Sequence, residues 1–287
     1  RREFLTRTLK AGAGIAAAAG LGYYFYDSQG PQPGPDTAEI SLPDFSVEPQ
    51  PGKTMSIVKG PDRTKTVSKA IELLGGIERF IKKGDTVAIK PNVAFASPPV
   101  LGATTHPYLV GQVTRLCLKA GARKVIVMDN PINDPASCFA LNGIEQAART
   151  AGAEIAMPQP DMFSRASLEN GNLIRNWPVM YGPLSNVDKL IGITPAKDHH
   201  RSGASMTMKN WYGLLGGRRN IFHQDINTII AELSLFVKPT LVILDGTKVM
   251  MTNGPTGGSV SDLRQTNTLI ASCDMVAADS CGATLMD

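Results

Sequence analysis

From about Thr54 onward, short apolar runs alternate with stretches in which apolar residues recur every three or four positions. The first kind of pattern predicts buried strands and the second predicts amphipathic helices. Met55 to Val58 reads as an opening strand. Val67, Ala70, Ile71 and Leu74 have helical spacing, and Gly75-Gly76 ends that helix. Lys83-Gly84-Asp85 turns the chain into a strand over 86–90. Thr105 then reads as an N-cap with Pro107 just inside a helix. The buried stripe of that helix is Leu109, Val110, Val113, Leu116, Cys117 and Ala120. Strands follow over 124–129 and 154–157, with a helix over 138–150 between them. Later strands are predicted over 189–194, 240–245 and 268–272, with a helix carrying Ile226, Ile229, Ile230, Leu233 and Val237 between the first two. Strand–helix alternation with short loops predicts an α/β fold, a mainly parallel sheet covered by helices. The helical pattern still running at Asp287 leads us to expect a natural C-terminus further on.

The first 53 residues follow other rules. The chain opens Arg1-Arg2-Glu3-Phe4-Leu5, and residues 11–26 are uncharged and rich in Ala and Gly. Paired arginines before an apolar stretch have the form of a twin-arginine export signal. A helix over 8–26 would be roughly 28 Å long at 1.5 Å per residue, close to the hydrocarbon thickness of a bilayer. Arg1, Arg2, Arg7 and Lys10 mark one side, and Tyr23, Tyr24 and Tyr26 make an aromatic belt on the other. We therefore expect residues 1–26 to be retained as a transmembrane anchor, single-pass in the cytoplasmic membrane, with the domain on the periplasmic side. Gly12, Gly14, Gly20 and Gly22 would let a partner helix approach, which suits a membrane-complex subunit. Residues 27–53, with Gly30-Pro31-Gln32-Pro33-Gly34-Pro35, are expected to be an extended linker, leaving 54–287 as the α/β domain.

Composition changes this picture little. The chain is 43% apolar and 19% charged with a net charge of +4, and its cations are scattered, which excludes a nucleic-acid-binding surface. None of the four cysteines forms a Cys-x-x-Cys pair, so no iron–sulfur cluster or zinc ribbon is expected in this chain. No G-x-G-x-x-G follows the first strand and no Walker motif is present.

Ligands in open α/β sheets bind beyond the carboxyl ends of strands. Polar residues gather at those ends: Lys90-Pro91-Asn92 and the loop to His106, Asp129-Asn130, the run from Thr194 to His200, and Asp245-Gly246. The segment 197–223 is richest and holds three of the four histidines. Lys197, His199, Lys209 and His223 are the candidates for acid–base work. Lys90, Asn92, His106, Asn210, Arg218 and Asp245 are the candidates for ligand binding. Two kinds of ligand suit these groups. One is a small anion neutralised by Lys and Arg; the other is a divalent metal held by His199 and His223, though the spacing matches no standard zinc motif. Met206, Met208, Trp211, Tyr212, Leu214 and Leu215, interleaved with the polar groups, read as the core face of a short helix. Residues 253–258, Asn-Gly-Pro-Thr-Gly-Gly, read as a lid or a surface turn.

At these residues the chain resembles a known family. Val87-Ala88-Ile89-Lys90-Pro91-Asn92, Thr104-Thr105-His106-Pro107, Lys197-Asp198-His199, Met208-Lys209-Asn210-Trp211-Tyr212-Gly213 and the stretch 274–282 together resemble the domain of unknown function 362 family, from about Met55 to the end. The resemblance implies twin-arginine export. It also implies ferredoxin-type clusters in some members, whose cysteines this chain lacks. The family is distantly similar in α/β architecture to nickel-dependent lactate racemase, which implies a site of His and Lys at the same strand ends. Two functions fit. One is an enzyme with an anion or metal site, with acid–base or redox-linked chemistry. The other is a non-catalytic accessory subunit of a membrane-embedded electron-transfer or photosynthetic complex.

Overall fold

The computed structural model describes residues 1–24, 39–48 and 50–287. The chain divides into two units, Arg1–Asp36 and Thr37–Asp287. In the first, the described structure is one helix, α1 (Arg2–Tyr24), with none of its residues buried. Its 23 residues are long enough to span a bilayer. Its apolarity is not sufficient: no described helix is both long and apolar enough to cross a membrane. Alanine and glycine supply most of its uncharged length and contribute little transfer energy, while Arg7 and Lys10 sit a third of the way along it. The predicted transmembrane helix is thus corrected to an exposed helix of moderate hydropathy. Tyr26 and linker residues 27–38 and 49 lie outside the described residues.

The second unit holds strands β1 (Met55–Lys59), β2 (Thr86–Pro91), β3 (Lys124–Met128), β4 (Glu154–Ala156), β5 (Phe163–Ala166), β6 (Trp177–Met180), β7 (Lys189–His199), β8 (Gly203–Ser205), β9 (Leu241–Met250) and β10 (Leu263–Ser272). Its helices are α2 (Arg63–Leu73), α3 (Ile77–Phe80), α4 (Pro107–Lys119), α5 (Pro135–Leu141), α6 (Ile144–Ala151), α7 (Thr207–Asn210), α8 (Ile226–Phe236) and α9 (Met275–Ala283). The main sheet runs β1-β10-β9-β7-β2-β3-β4, with β8 paired to β7. The pairs from β9 through β4 are parallel, and β1 and β10 add an antiparallel edge. β5 and β6 form a separate hairpin sheet. This is the predicted α/β architecture with a mostly parallel sheet.

Period-two alternation along the strands builds two cores, one on each face. Val87 and Ile89, Ile191 and Ile193, and Leu241 and Ile243 pack with α2, α4 and α6. Ala88, Leu190, Val242, Leu244 and Ile270 pack with Trp211, α8 and α9 on the other face. A sheet buried on both faces needs apolar residues at nearly every strand position, which is why the strands read as continuous runs.

Several predicted boundaries move. Cys138 and Thr150 fall in separate helices, because Gly143 takes a φ of +71° and the Asn142 side chain accepts the Ile144 N–H at 3.0 Å. Of the described part of the predicted linker, 39–48 and 50–53, the first stretch lies along the domain rather than free of it. Phe45 is buried, its N–H donates to Lys238 O and its carbonyl accepts from Thr240 Oγ1. All four cysteines are free thiols.

The cap of α4 also shifts. His106 is the N-cap, its Nδ1 accepting the Tyr108 N–H at 3.3 Å. Thr105 is released for a different task. Its Oγ1 accepts from Asn92 N at 2.8 Å and donates to Ile193 O at 2.7 Å, stapling the loop after β2 to the end of β7. Replacing Thr105 by the near-isosteric Val leaves both buried groups unpaired. Thr105→Val is expected to lower unfolding free energy by about 2 kcal/mol, measured as a drop in the denaturant midpoint at unchanged slope. A change below about 0.5 kcal/mol would show that the staple is dispensable.

Candidate functional site

Three strand ends and one chain segment folded back over them enclose a cavity of about 80 Å³. Lys90 and Asn92 come from β2 and its loop, and Asp129 and Asn130 follow β3. Lys197 and His199 lie on β7, where the strand continues past the sheet to pair with β8. Lys209, Asn210, Tyr212, Arg219 and His223 come from the segment that begins at α7.

The floor is a buried ion pair. Lys90 Nζ lies 2.7 Å from Asp129 Oδ1, with both side chains almost fully buried. The contact is close but off-axis, since Asp129 Oδ1 makes no well-directed hydrogen bond. Lys90 Nζ also donates to Pro91 O at 2.9 Å and Asn210 Oδ1 at 3.2 Å. Two of the three ammonium protons are spent on these oxygens and the charge is met by Asp129, so Lys90 serves the floor rather than a ligand. Burial pulls its pKa down, and Asp129 opposes that pull. Asp129 Oδ2 accepts the Val93 N–H at 2.6 Å and Asn210 Nδ2 donates to Lys90 O at 3.1 Å, tying β2, β3 and α7 together. A Cβ on Gly213 would lie 2.1 Å from Asp129 Oδ1 and 2.8 Å from Lys90 Nζ, so this backbone approaches the pair as only glycine can.

Arg219 is likewise committed. Its guanidinium donates to the carbonyls of Tyr212, Leu215, Asn130 and Pro131 at 2.7–3.3 Å. It holds the cavity wall rather than a ligand.

Two cations remain available. Lys197 Nζ donates once, to Ala103 O at 2.5 Å, and lies 5.1 Å from the Phe95 ring centroid. Lys209 Nζ makes no hydrogen bond among the described residues and sits 5.3 Å from the Tyr212 ring centroid. Burial, then the Lys209 charge, brings Lys197 down to about 7. Burial, then Arg219, brings Lys209 down to about 8. Crowding cations in a dry space weakens each one's hold on its proton, and an incoming anion reverses this.

The histidines are fixed in opposite tautomers. Nδ1 of His199 faces the N–H groups of Arg201 and Ser202, each at 3.3 Å, and the Ser202 hydroxyl at 3.0 Å. Two fixed backbone donors require a bare Nδ1, so the proton sits on Nε2. Tyr212 spends its hydroxyl proton on Arg219 O, so its oxygen, 3.0 Å from His223 Nδ1, must accept from that ring. His223 is therefore protonated on Nδ1 and presents a bare Nε2. Burial, then the Lys209 charge, lowers both imidazole pKa values, His199 to about 3. The rings stack with centroids 5.8 Å apart. One offers a proton and the other can take one.

Seven of the ten predicted residues thus meet: Lys90, Asn92, Lys197, His199, Lys209, Asn210 and His223. Three do not line the cavity. Arg218 is exposed, and its neighbour Arg219 occupies the wall. Asp245 is paired with Arg63 at 2.6 Å, and His106 lines a separate cleft beside them. Asp129, Tyr212 and Arg219 are the residues that site prediction passed over. Asp129 had a signal, an acid directly after an apolar strand; the Tyr212 hydroxyl and its histidine are eleven residues apart and had none. Among the described residues no three His, Cys, Asp or Glu side chains gather where they could hold a metal. The two histidines already have their Nδ1 atoms engaged and face lysine ammoniums, a donor set suited to an anion rather than a cation. Pro255 touches the cavity, but its loop is tied down from both sides. Gly254 N–H donates to Asp198 Oδ2, and Asp262 accepts from Thr252, Asn253, Gly258 and Ser259.

Comparison with known proteins places the chain. It is 28% identical over 218 residues to a thylakoid-associated protein of Synechocystis sp., covering 73% of this chain and 65% of that one. The chain thus spans just under two thirds of that relative's length. Two solved structures align with it at 13% identity and a TM-score of 0.42. One is a protein from Thermotoga maritima, covering 80% of this chain and 60% of that one. The other is the lactate racemase apoprotein from Thermoanaerobacterium thermosaccharolyticum, covering 84% of this chain and 58% of that one. Residues 87–284, including every residue of the cavity described above, match the family described as Domain of unknown function (DUF362), and the chain belongs to it.

Proposed function

We propose that the cavity binds a small carboxylate and moves a proton on it. The observation that carries this reading is the pair of lysines with unspent donors, buried Lys197 and half-buried Lys209, beside two neutral histidines of opposite tautomer. The carboxylate sits between the two ammoniums. His199 Nε2–H steadies the ligand, and His223 Nε2 is the base. The cavity of about 80 Å³ suits a small ligand, and it adjoins a cleft of about 400 Å³ with which it shares Asn130, Tyr212, Arg219 and His223. Lys90, Asp129, Asn210 and Arg219 are positioning residues, because their polar atoms are already committed.

The sign of the pH dependence follows from the lysines. Their free-state pKa values, about 7 for Lys197 and about 8 for Lys209, lie below the ordinary lysine range. A bound anion favours the protonated forms and raises both. Affinity is then steady below pH 7 and falls as pH rises through 7 and 8, by up to about tenfold per pH unit for each lysine that must take up a proton. Calorimetric titration with carboxylates from acetate to succinate, in buffers of different ionisation enthalpy, should show proton uptake on binding at pH 8. Pairing that is independent of pH between 6 and 9, or no binding at all, would overturn the anion site.

Proton transfer has its own readout. In D₂O, the protein should exchange the α-hydrogen of a bound small carboxylate, followed by proton NMR. His223→Gln should slow the exchange by roughly 10²-fold or more while changing affinity by less than about threefold. Wild-type protein that binds without any exchange would reduce the site to a carboxylate receptor.

A second reading concerns place. The Arg-Arg start of α1 and the thylakoid-associated relative support an exported, membrane-associated protein, serving as an enzyme or as an accessory subunit of a membrane complex. Replacing Arg1 and Arg2 together by Lys should leave the full chain in the cytoplasmic fraction on cell fractionation. Undiminished export of that variant would remove the twin-arginine assignment.

A further inference from the structure

His106, which the sequence groups with the cavity, lines a different and roomier cleft of about 360 Å³, and Asp245 pairs with another of its members, Arg63. Its polar members are Arg63, His106 and Lys248, and its apolar wall includes Val100, Tyr108 and Leu263. Arg63 is the first residue of α2 and is largely buried. It donates through Nε to Asp245 Oδ2 at 2.6 Å, the one hydrogen bond of its side chain among the described residues. The other oxygen of Asp245 takes the Thr247 N–H at 2.8 Å. The buried carboxylate therefore fixes the guanidinium while leaving both terminal amino groups without protein acceptors. That is the fork which pairs bidentately with a carboxylate or phosphate.

The surroundings agree with this. His106 accepts the Tyr108 N–H on Nδ1, so its Nε2–H is the ring's free donor. Its ring meets Tyr108 edge-on, with centroids 4.8 Å apart. Lys248 is exposed and adds a second positive charge. α4 starts at this cleft, and the positive end of its dipole adds to the field. The nearby acids are committed: Asp245 to Arg63 and Thr247, and Asp62 to capping α2. Val100 and Tyr108 are more than half exposed despite their apolar bodies. A polar fork at the base of an apolar rim calls for a ligand with an anionic end and a greasy body.

We propose that this cleft is a second ligand site, taking the carboxylate or phosphate end of an amphipathic molecule, with Arg63 as the bidentate anchor, His106 and Lys248 as supporting donors, and Val100, Tyr108 and Leu263 covering the apolar part. It shares no lining residue with the proton-moving cavity.

Octanoate and octyl phosphate are the probes, titrated into the full chain carrying ¹³C-labelled Ile, Leu and Val methyls. Saturable shifts are expected at Val100 and Leu263 but not at Ile132, which lines the first cavity. The tighter probe identifies the head group. Octanol, with the same tail and no charge, should bind at least roughly tenfold more weakly. Lys248→Glu, at an exposed position, should weaken binding by roughly tenfold. Arg63→Lys keeps a cation beside Asp245 and should do the same by removing the fork. His199→Asn should leave this binding unchanged, so that failure of the first site does not decide the second. Octanol binding as tightly as octanoate, wild-type affinity in both charge variants, or shifts that never saturate would each overturn the proposal.

Discussion

The buried contact between Lys90 and Asp129 is the constraint on which the site depends. Neither charge is tolerable there alone: an unpaired buried ion costs several kcal/mol, and pairing recovers this only with good geometry and further hydrogen bonds. The chain supplies them through Pro91, Val93 and Asn210. Each belongs to a different piece of backbone, so satisfying the pair also fixes β2, the loop after it, β3 and α7 relative to one another. The close approach of Gly213 seals the pair from water. With its floor neutralised internally, the cavity keeps positive charge on Lys197, Lys209 and Arg219, and only the two lysines have donors to spare.

Those two lysines illustrate how a fold can store electrostatic energy. Burial and a neighbouring cation, Lys209 for Lys197 and Arg219 for Lys209, hold both near the point of losing a proton at neutral pH. A ligand of opposite charge relieves the repulsion, so part of its binding energy is prepared before it arrives. The histidines are prepared in a similar way. Backbone N–H groups set one tautomer and a tyrosine hydroxyl sets the other, so neither ring must rearrange for a proton to pass. Arg219 carries formal charge into the same wall but spends its N–H donors on four carbonyls, which shows that charge and availability differ.

The two clefts stand on the same side of the sheet because parallel strands all end there. The loop from Val93 to His106 contributes to both. Ala94 and Phe95 line the first, while Val100, Gly102 and His106 line the second. Lys197, through Ala103 O, and Thr105, through Asn92 and Ile193, hold this loop against the sheet. That divides one run of polar strand ends into two chemically different environments.

By itself the sequence determined the alternation of strands and helices, the parallel character of the sheet, and seven residues of the cavity. All of these are local: apolar runs follow from burial on both faces, and polar groups must collect where strands leave the core. The hairpin β5–β6 and strand β8 were not legible: these strands are three or four residues long and, unlike the equally short β4, do not follow an α-helix in the strand–helix alternation. Nor was the split of the helix near Asn142-Gly143, where one left-handed glycine outweighs a continuous apolar pattern. Tertiary structure alone decided that Arg219 rather than Arg218 faces inward, that His106 and Asp245 leave the cavity for Arg63, and which nitrogen of each histidine is bare. Those outcomes depend on partners up to 182 residues away along the chain. Spacing in sequence carries no record of which distant carbonyl, hydroxyl or carboxylate will claim a given proton.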